Sequence, residues 1–183
     1  MSKIIFKAGE ATVFTEGKDV TAAMPEILIG AVDGPVGAAF ANMMAQSKGH
    51  TAMFAVRDIN QMVKPATMMV PKVTLKGSTD VGLFGGVVQA AAADAILDCV
   101  IEGIIPKDQV NDLCIISLVW IDPGCIALEK EGKLDKADMY KNNYDATKLA
   151  IKRALNDEPS IDELIKNRKT IKHCMWEESW GEI

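Results

Sequence analysis

Histidine and aromatic side chains are what this chain has least of: two histidines, His50 and His173, and 5% aromatics in 183 residues. So few aromatics leave Ala, Val, Ile, Leu and ten methionines to fill the interior. Two distant histidines mark neither a Ser/His/Asp nor a Cys/His constellation, and His50, at a strand entrance, reads as structural or exposed. The four cysteines, Cys99, Cys114, Cys125 and Cys174, lack CxxC spacing. That argues against a zinc site or a disulfide framework and for reduced thiols in a cytoplasmic protein; no metal is expected. GxGxxG and P-loop patterns are absent, so the phosphate signal is weak. Lys and Arg number 20 against 25 Asp and Glu, a net charge of -5, which argues against a nucleic-acid partner. The basic residues Lys148, Lys152, Arg153, Lys166, Arg168, Lys169 and Lys172 are interspersed with acids and read as a solvated helix face. The opening MSKIIFKAGE has no long apolar segment and no stretch reads as a membrane span, so no membrane partner is expected.

What is present is the alternation of an α/β fold. The length suits one domain that buries roughly 70% of its unfolded surface. Residues 3–14 read as a strand interrupted at Gly9, Met24 to Gly30 as a second strand with Glu26 its lone acid, and Thr51 to Val56 as a third. Between them, Gly34 to Lys48 has helical spacing, with Ala38, Phe40, Ala41 and Met44 on its packed face. Leu113 to Ile121 is a strongly β-type run expected at the sheet centre. It ends at Asp122-Pro123-Gly124. Leu134 to Leu155 is an amphipathic helix with Tyr140, Tyr144, Leu149 and Ala150 as buried candidates, and a last helix follows over Ile161 to Lys169. Trp176 and Trp180 in the tail are expected to cover a neighbouring surface, such as another subunit. The whole is a mixed sheet with packed helices.

The stretch from Lys64 to Pro106 carries the chemistry. Thr67 to Leu75 reads as a strand whose Lys72 and Thr74, two apart, share one face. A helix follows over Asp80 to Glu102, with Thr79 or Asp80 as its cap, Gly82, Gly85 and Gly86 in its first turns, and Gln89 next. Lys72, Thr74 and Gln89 make a polar lining for a small-molecule pocket. Lys72 has three readings: a Schiff-base amine, a hydrogen-bond donor to a ligand, or a snorkelling surface residue. Asp94, Asp98 and Glu102, at intervals of four, form a row that reads as a solvated stripe in preference to a divalent-ion site.

The segments GHTAMFAV, KPATMMVPKVTL, IEGIIPKDQVNDL and YDATKLAIKRAL, in that order, resemble the formaldehyde-activating enzymes. The resemblance implies a ribosomal-protein-S5 domain-2-like fold over residues 1–160, with 161–183 as a helical extension. It also implies condensation of formaldehyde with tetrahydromethanopterin in a cleft between subunits of a homopentamer. By position, the pterin contacts are Glu26 (where the family has Asp), Phe54, Lys72, Thr74 and Gln89. The family's catalytic histidine falls on Met24, which can neither donate nor accept a proton. That loss raises the barrier by roughly 3 to 5 kcal/mol, unless Glu26, desolvated and protonated, supplies the acid. The alternative is a non-catalytic pterin-binding or sensing protein.

Overall fold

The computed structural model describes residues 3–46 and 52–171. Its strands are β1 (Lys7–Glu10), β2 (Glu26–Ala31), β3 (Met53–Phe54), β4 (Ala66–Pro71) and β5 (Leu113–Val119). They form one sheet in the order β1-β2-β5-β4-β3, so the LCIISLV run is its central strand, as expected. Only β4 and β5 run parallel. A parallel pair requires a crossover, and residues 78–101 supply it as α2 (Ser78–Leu83), a π-helical turn (Phe84–Val88) and α3 (Gln89–Ile101). The remaining helices are α1 (Pro35–Gln46), α4 (Gly124–Lys130), α5 (Lys136–Asn156) and α6 (Ile161–Asn167). The mixed α/β class is the one anticipated.

Strand periodicity sends alternate residues to two unequal faces. Ile27, Ile29, Met69, Ile115 and Val119 face α3 and α5 and join Val88, Ala92, Ile96, Ala150 and Ile151 in the main core. The other face carries Leu28, Val70, Ile116 and Leu118, covered by Val36, Ala39, Phe40 and Met43 of α1. This corrects the expected packed face of α1. Phe40 belongs to it, but Ala38, Ala41 and Met44 are exposed. One 12-residue helix leaves much of this face half-buried, and it is called the open face below.

Gly9 does not interrupt a strand. It lies within β1, paired with Ile27, and its missing side chain admits α5: a Cβ there would stand 2.6 Å from the Ala154 nitrogen and 2.8 Å from the Ala154 Cβ. The second strand of the pattern also begins later, at Glu26, with Val13 and Ala23 joined by an isolated bridge ahead of it. Neither Thr79 nor Asp80 is the N-cap of α2. That position is Gly77, and Asp80, buried one turn in, accepts the Lys76 N–H at 2.8 Å. The helix α4 was not anticipated, because Asp122-Pro123-Gly124 was read only as a stop. The Asp122 carboxylate accepts the Gly124 N–H at 2.6 Å and so starts a helix where it ends a strand.

The acidic row on α3 is neither a solvated stripe nor a cation site. Asp94, Asp98 and Glu102 meet Tyr140, Tyr144 and Lys148 of α5, each pair 46 residues apart, which sets the two helices parallel and in register. Tyr144 donates to Asp98 at 2.5 Å, Lys148 to Glu102 at 2.5 Å, and Arg57 also pairs with Asp94 at 2.8 Å. The two phenol rings stack with centroids 6.4 Å apart. Tyr140 and Tyr144 are therefore half-buried, while Leu149 is exposed and Ala150 is in the core. Residues Ser78–Ile101 are long and apolar enough to cross a membrane by length and composition alone, contrary to the sequence reading. In the fold this helix is occupied by the sheet and by the ladder to α5. His50, His173, Cys174, Trp176 and Trp180 lie outside the described residues; Cys99, Cys114 and Cys125 are buried free thiols.

Candidate functional site

Polar groups collect at one end of the open face. Glu26 opens β2 in register with Leu118, which is in turn in register with Val70 of β4. Continuing each strand by two residues gives a second row, Met24–Trp120–Lys72. The continuation is supported by the Lys72 N–H, which donates to the Val119 carbonyl at 2.7 Å. Burial supports it as well: Ala23, Pro25 and Ile27 are buried between less buried Met24, Glu26 and Leu28, and Val119 and Ile121 are buried on either side of half-buried Trp120. The strand expected to carry Lys72 and Thr74 on one face stops before them: β4 ends at Pro71 and the chain bends at Lys72 and Val73, with Lys72 and Thr74 both exposed.

Lys72 Nζ and Glu26 form an ion pair across the intervening strand. The Glu26 side chain is 51% exposed.

The other anticipated residues stand apart. Phe54 is paired with Met68 on the same face, with its ring centroid 5.8 Å from that of Phe40. It is four residues along β4 from Lys72, roughly 13 Å at strand rise. Thr74 lines a separate cavity of about 290 Å³ with Leu75, Asp80, Ile121 and Ile126. Gln89 is buried on the opposite side of the sheet. Its Oε1 accepts the Val56 N–H at 2.9 Å, and its Nε2 donates to the Gly85 carbonyl at 2.7 Å. Both ends of the amide are thus engaged in bracing β3 against the π-helical turn. Within the chain, Glu26 and Lys72 come together; Phe54, Thr74 and Gln89 do not join them. Trp120 was missed by the sequence reading, which counted it inside an apolar run. Its parity with Leu118 was the available signal.

The segment leading to Met24 is held from below by α5. Thr15 donates to Asp138 at 2.6 Å, Thr21 donates to the same carboxylate, and Asn142 donates to Asp138 and to the Thr21 carbonyl, each at 3.2 Å. The two threonine hydroxyls hold the Asp138 carboxyl below its ordinary range. Asp138→Ala is expected to cost about 1–3 kcal/mol in chemical denaturation. The sign in pH follows from the lowered value: the contribution is complete above about pH 4, where the unfolded carboxyl ionises, and is lost as pH falls through the folded pKa. Wild-type stability should therefore fall more steeply below pH 4 than that of Asp138→Asn. Burial lifts the Cys99 thiol to about 12 and Cys125 to about 11, leaving both poorly suited as nucleophiles. Among the described residues no group of His, Cys, Asp and Glu is arranged to hold a metal ion.

A family model described as formaldehyde-activating enzyme (Fae) matches residues 8–176. Among curated relatives, the bifunctional enzyme Fae/Hps of Methanosarcina mazei is 41% identical over 172 residues, 93% of this chain and 41% of that protein. The protein of the same name from Methanocella arvoryzae is 44% identical with the same coverage. The chain thus spans about two fifths of the length of these relatives. With the match running through β2, through β4 and the Lys72 that follows it, and on through α5, the chain belongs to the formaldehyde-activating enzyme family.

Proposed function

We propose that the chain acts as a lyase of the formaldehyde-activating type, condensing formaldehyde with tetrahydromethanopterin to methylene-tetrahydromethanopterin and water. The observation that carries this is the Glu26–Lys72 pair beside position 24 on a half-buried sheet face, in a chain of that family. In the reaction a pterin amine attacks the aldehyde carbon to give a carbinolamine. Its hydroxyl is protonated and leaves as water, and the second pterin amine closes on the resulting iminium with loss of its proton. The open face binds and orients the pterin, with Lys72 and Glu26 at the polar end. Phe54 and Thr74 belong to the same reading as contacts gathered when a second subunit closes the cleft, and Gln89 does so only by releasing one of the two hydrogen bonds that hold its buried amide. The half-buried Leu28, Val70 and Leu118 favour such a homo-oligomer, a pentamer by family, in the cytoplasm.

Met24 supplies no proton, so holding the two reactants together is the main contribution left, itself worth several kcal/mol. This favours a second reading, a pterin-binding or sensing protein without catalysis. Stopped-flow measurement of methylene-tetrahydromethanopterin formation against the uncatalysed background, with pterin binding by calorimetry, separates the two. A rate above background is the expected result. Binding with a background rate selects the second reading, and absence of both overturns each.

A further inference from the structure

We propose that Trp120 is the floor of the ligand site, the surface on which the planar pyrimidinone ring of a reduced pterin stacks. This rests on the pterin reading above and adds to it a residue and a geometry.

The registers on both sides of β5 run towards Trp120: the antiparallel ladder ends at Glu26 with Leu118 and the parallel one at Pro71 with Val119, and both strands, continued past those pairs, carry Met24 and Lys72 to either side of Trp120. On that continuation the indole lies between the residue at the family's proton-transfer position and the lysine of the ion pair.

Val119 and Ile121, its neighbours in the chain, are 1% and 4% exposed, whereas Trp120 is only half-buried. A large aromatic left open at the polar end of a sheet face offers a flat apolar surface with its edges fixed by the strand beneath. Leu118 and Val70 extend that surface towards α1.

The amino-pyrimidinone edge of a pterin carries N–H donors beside a carbonyl acceptor, and its faces are apolar. Glu26 and Lys72 provide an acceptor and a donor at the rim, already paired with one another across β5, and a ligand edge can exchange for that pairing. A ring lying on Trp120 meets both groups with its edge and places its amines on the side of Met24. Phe54, the other aromatic of this face, is too far along β4 to serve the same ring.

The test uses the full chain with Trp176→Phe and Trp180→Phe, which leaves Trp120 as its one tryptophan. Anaerobic titration with tetrahydromethanopterin is expected to quench its emission in step with binding measured by calorimetry. Trp120→Leu in the wild-type background is expected to weaken binding about 10- to 100-fold, the effect of removing one aromatic stacking partner. Trp120→Phe should restore most of it. Saturable binding with unchanged Trp120 emission, or wild-type affinity in Trp120→Leu, would overturn the stacking and leave the functional reading standing. Absence of pterin binding by the wild-type chain would overturn both. Should Trp120→Leu fail to fold, the quenching of the folded double variant decides alone.

Discussion

Met24→His is expected to raise the rate of methylene-tetrahydromethanopterin formation by about 10²- to 10⁴-fold, the contribution of one positioned general acid. The site around it argues for an effect of that size. Met24 lies two residues before Glu26 in the same alternation of burial, so an imidazole there is presented to the same face as the ion pair. The segment that carries it is fixed by the Asp138 hydrogen bonds to Thr15 and Thr21. The proton must come from the imidazolium, so the gain should be largest below about pH 7 and fade above it as the ring loses its charge. Stopped-flow rates of the variant and the wild-type chain between pH 5.5 and about 8.5 read both features. A variant that binds the pterin as the wild type does, with no gain at any pH, would show that position 24 does not face the reacting carbon.

The largest expected effect on stability comes from Gly9→Val. Its Cβ would fall 2.6 Å from the Ala154 nitrogen, a backbone atom of α5 that cannot rotate away. Either β1 leaves the sheet or α5 lifts from it. The cost should be about 3 kcal/mol or more, at the upper end of overpacking, seen as a lowered urea midpoint and a fall in melting temperature. Gly82→Ala is the contrast. Nothing lies within 4 Å of a Cβ on that helical glycine, and the substitution should stabilise by about 0.5–1 kcal/mol. Equal behaviour of the two variants would show that the close approach of α5 to β1 is absent in solution.

Much of the architecture was legible because it depends on short-range pattern. Leu113 to Ile121 could be placed at the sheet centre from its unbroken apolar run, whereas the period of two expected to carry Lys72 and Thr74 on one face ends with β4 at Pro71, where the chain begins to bend. What was illegible depended on partners far along the chain. Gly9 signals a break and a close approach with the same letter, and only α5, some 140 residues later, decides between them. Asp94, Asp98 and Glu102 looked solvated because Tyr140, Tyr144 and Lys148, 46 residues on, could not be matched to them without the helix register. The candidate site divides in the same way. Glu26 and Lys72 converge within one chain, whereas Phe54, Thr74 and Gln89 are each placed by contacts of their own.

The ladder between α3 and α5 makes the protein report optically on its own helix pairing. The chain has two tyrosines, and both are rungs. Burial and the Asp94 carboxylate push Tyr140 up to about 12, and the hydrogen bond to Asp98, with burial, raises Tyr144. In an unfolded chain both would ionise near pH 10. The stabilisation that the phenols contribute is therefore complete below pH 10 and is lost as the pH rises through the folded values. Tyrosinate absorbance should stay low through pH 10 while the ladder holds and rise at higher pH as the two helices part. A spectrometer can thus follow, without any label, the packing of the helical layer that lies behind the candidate site.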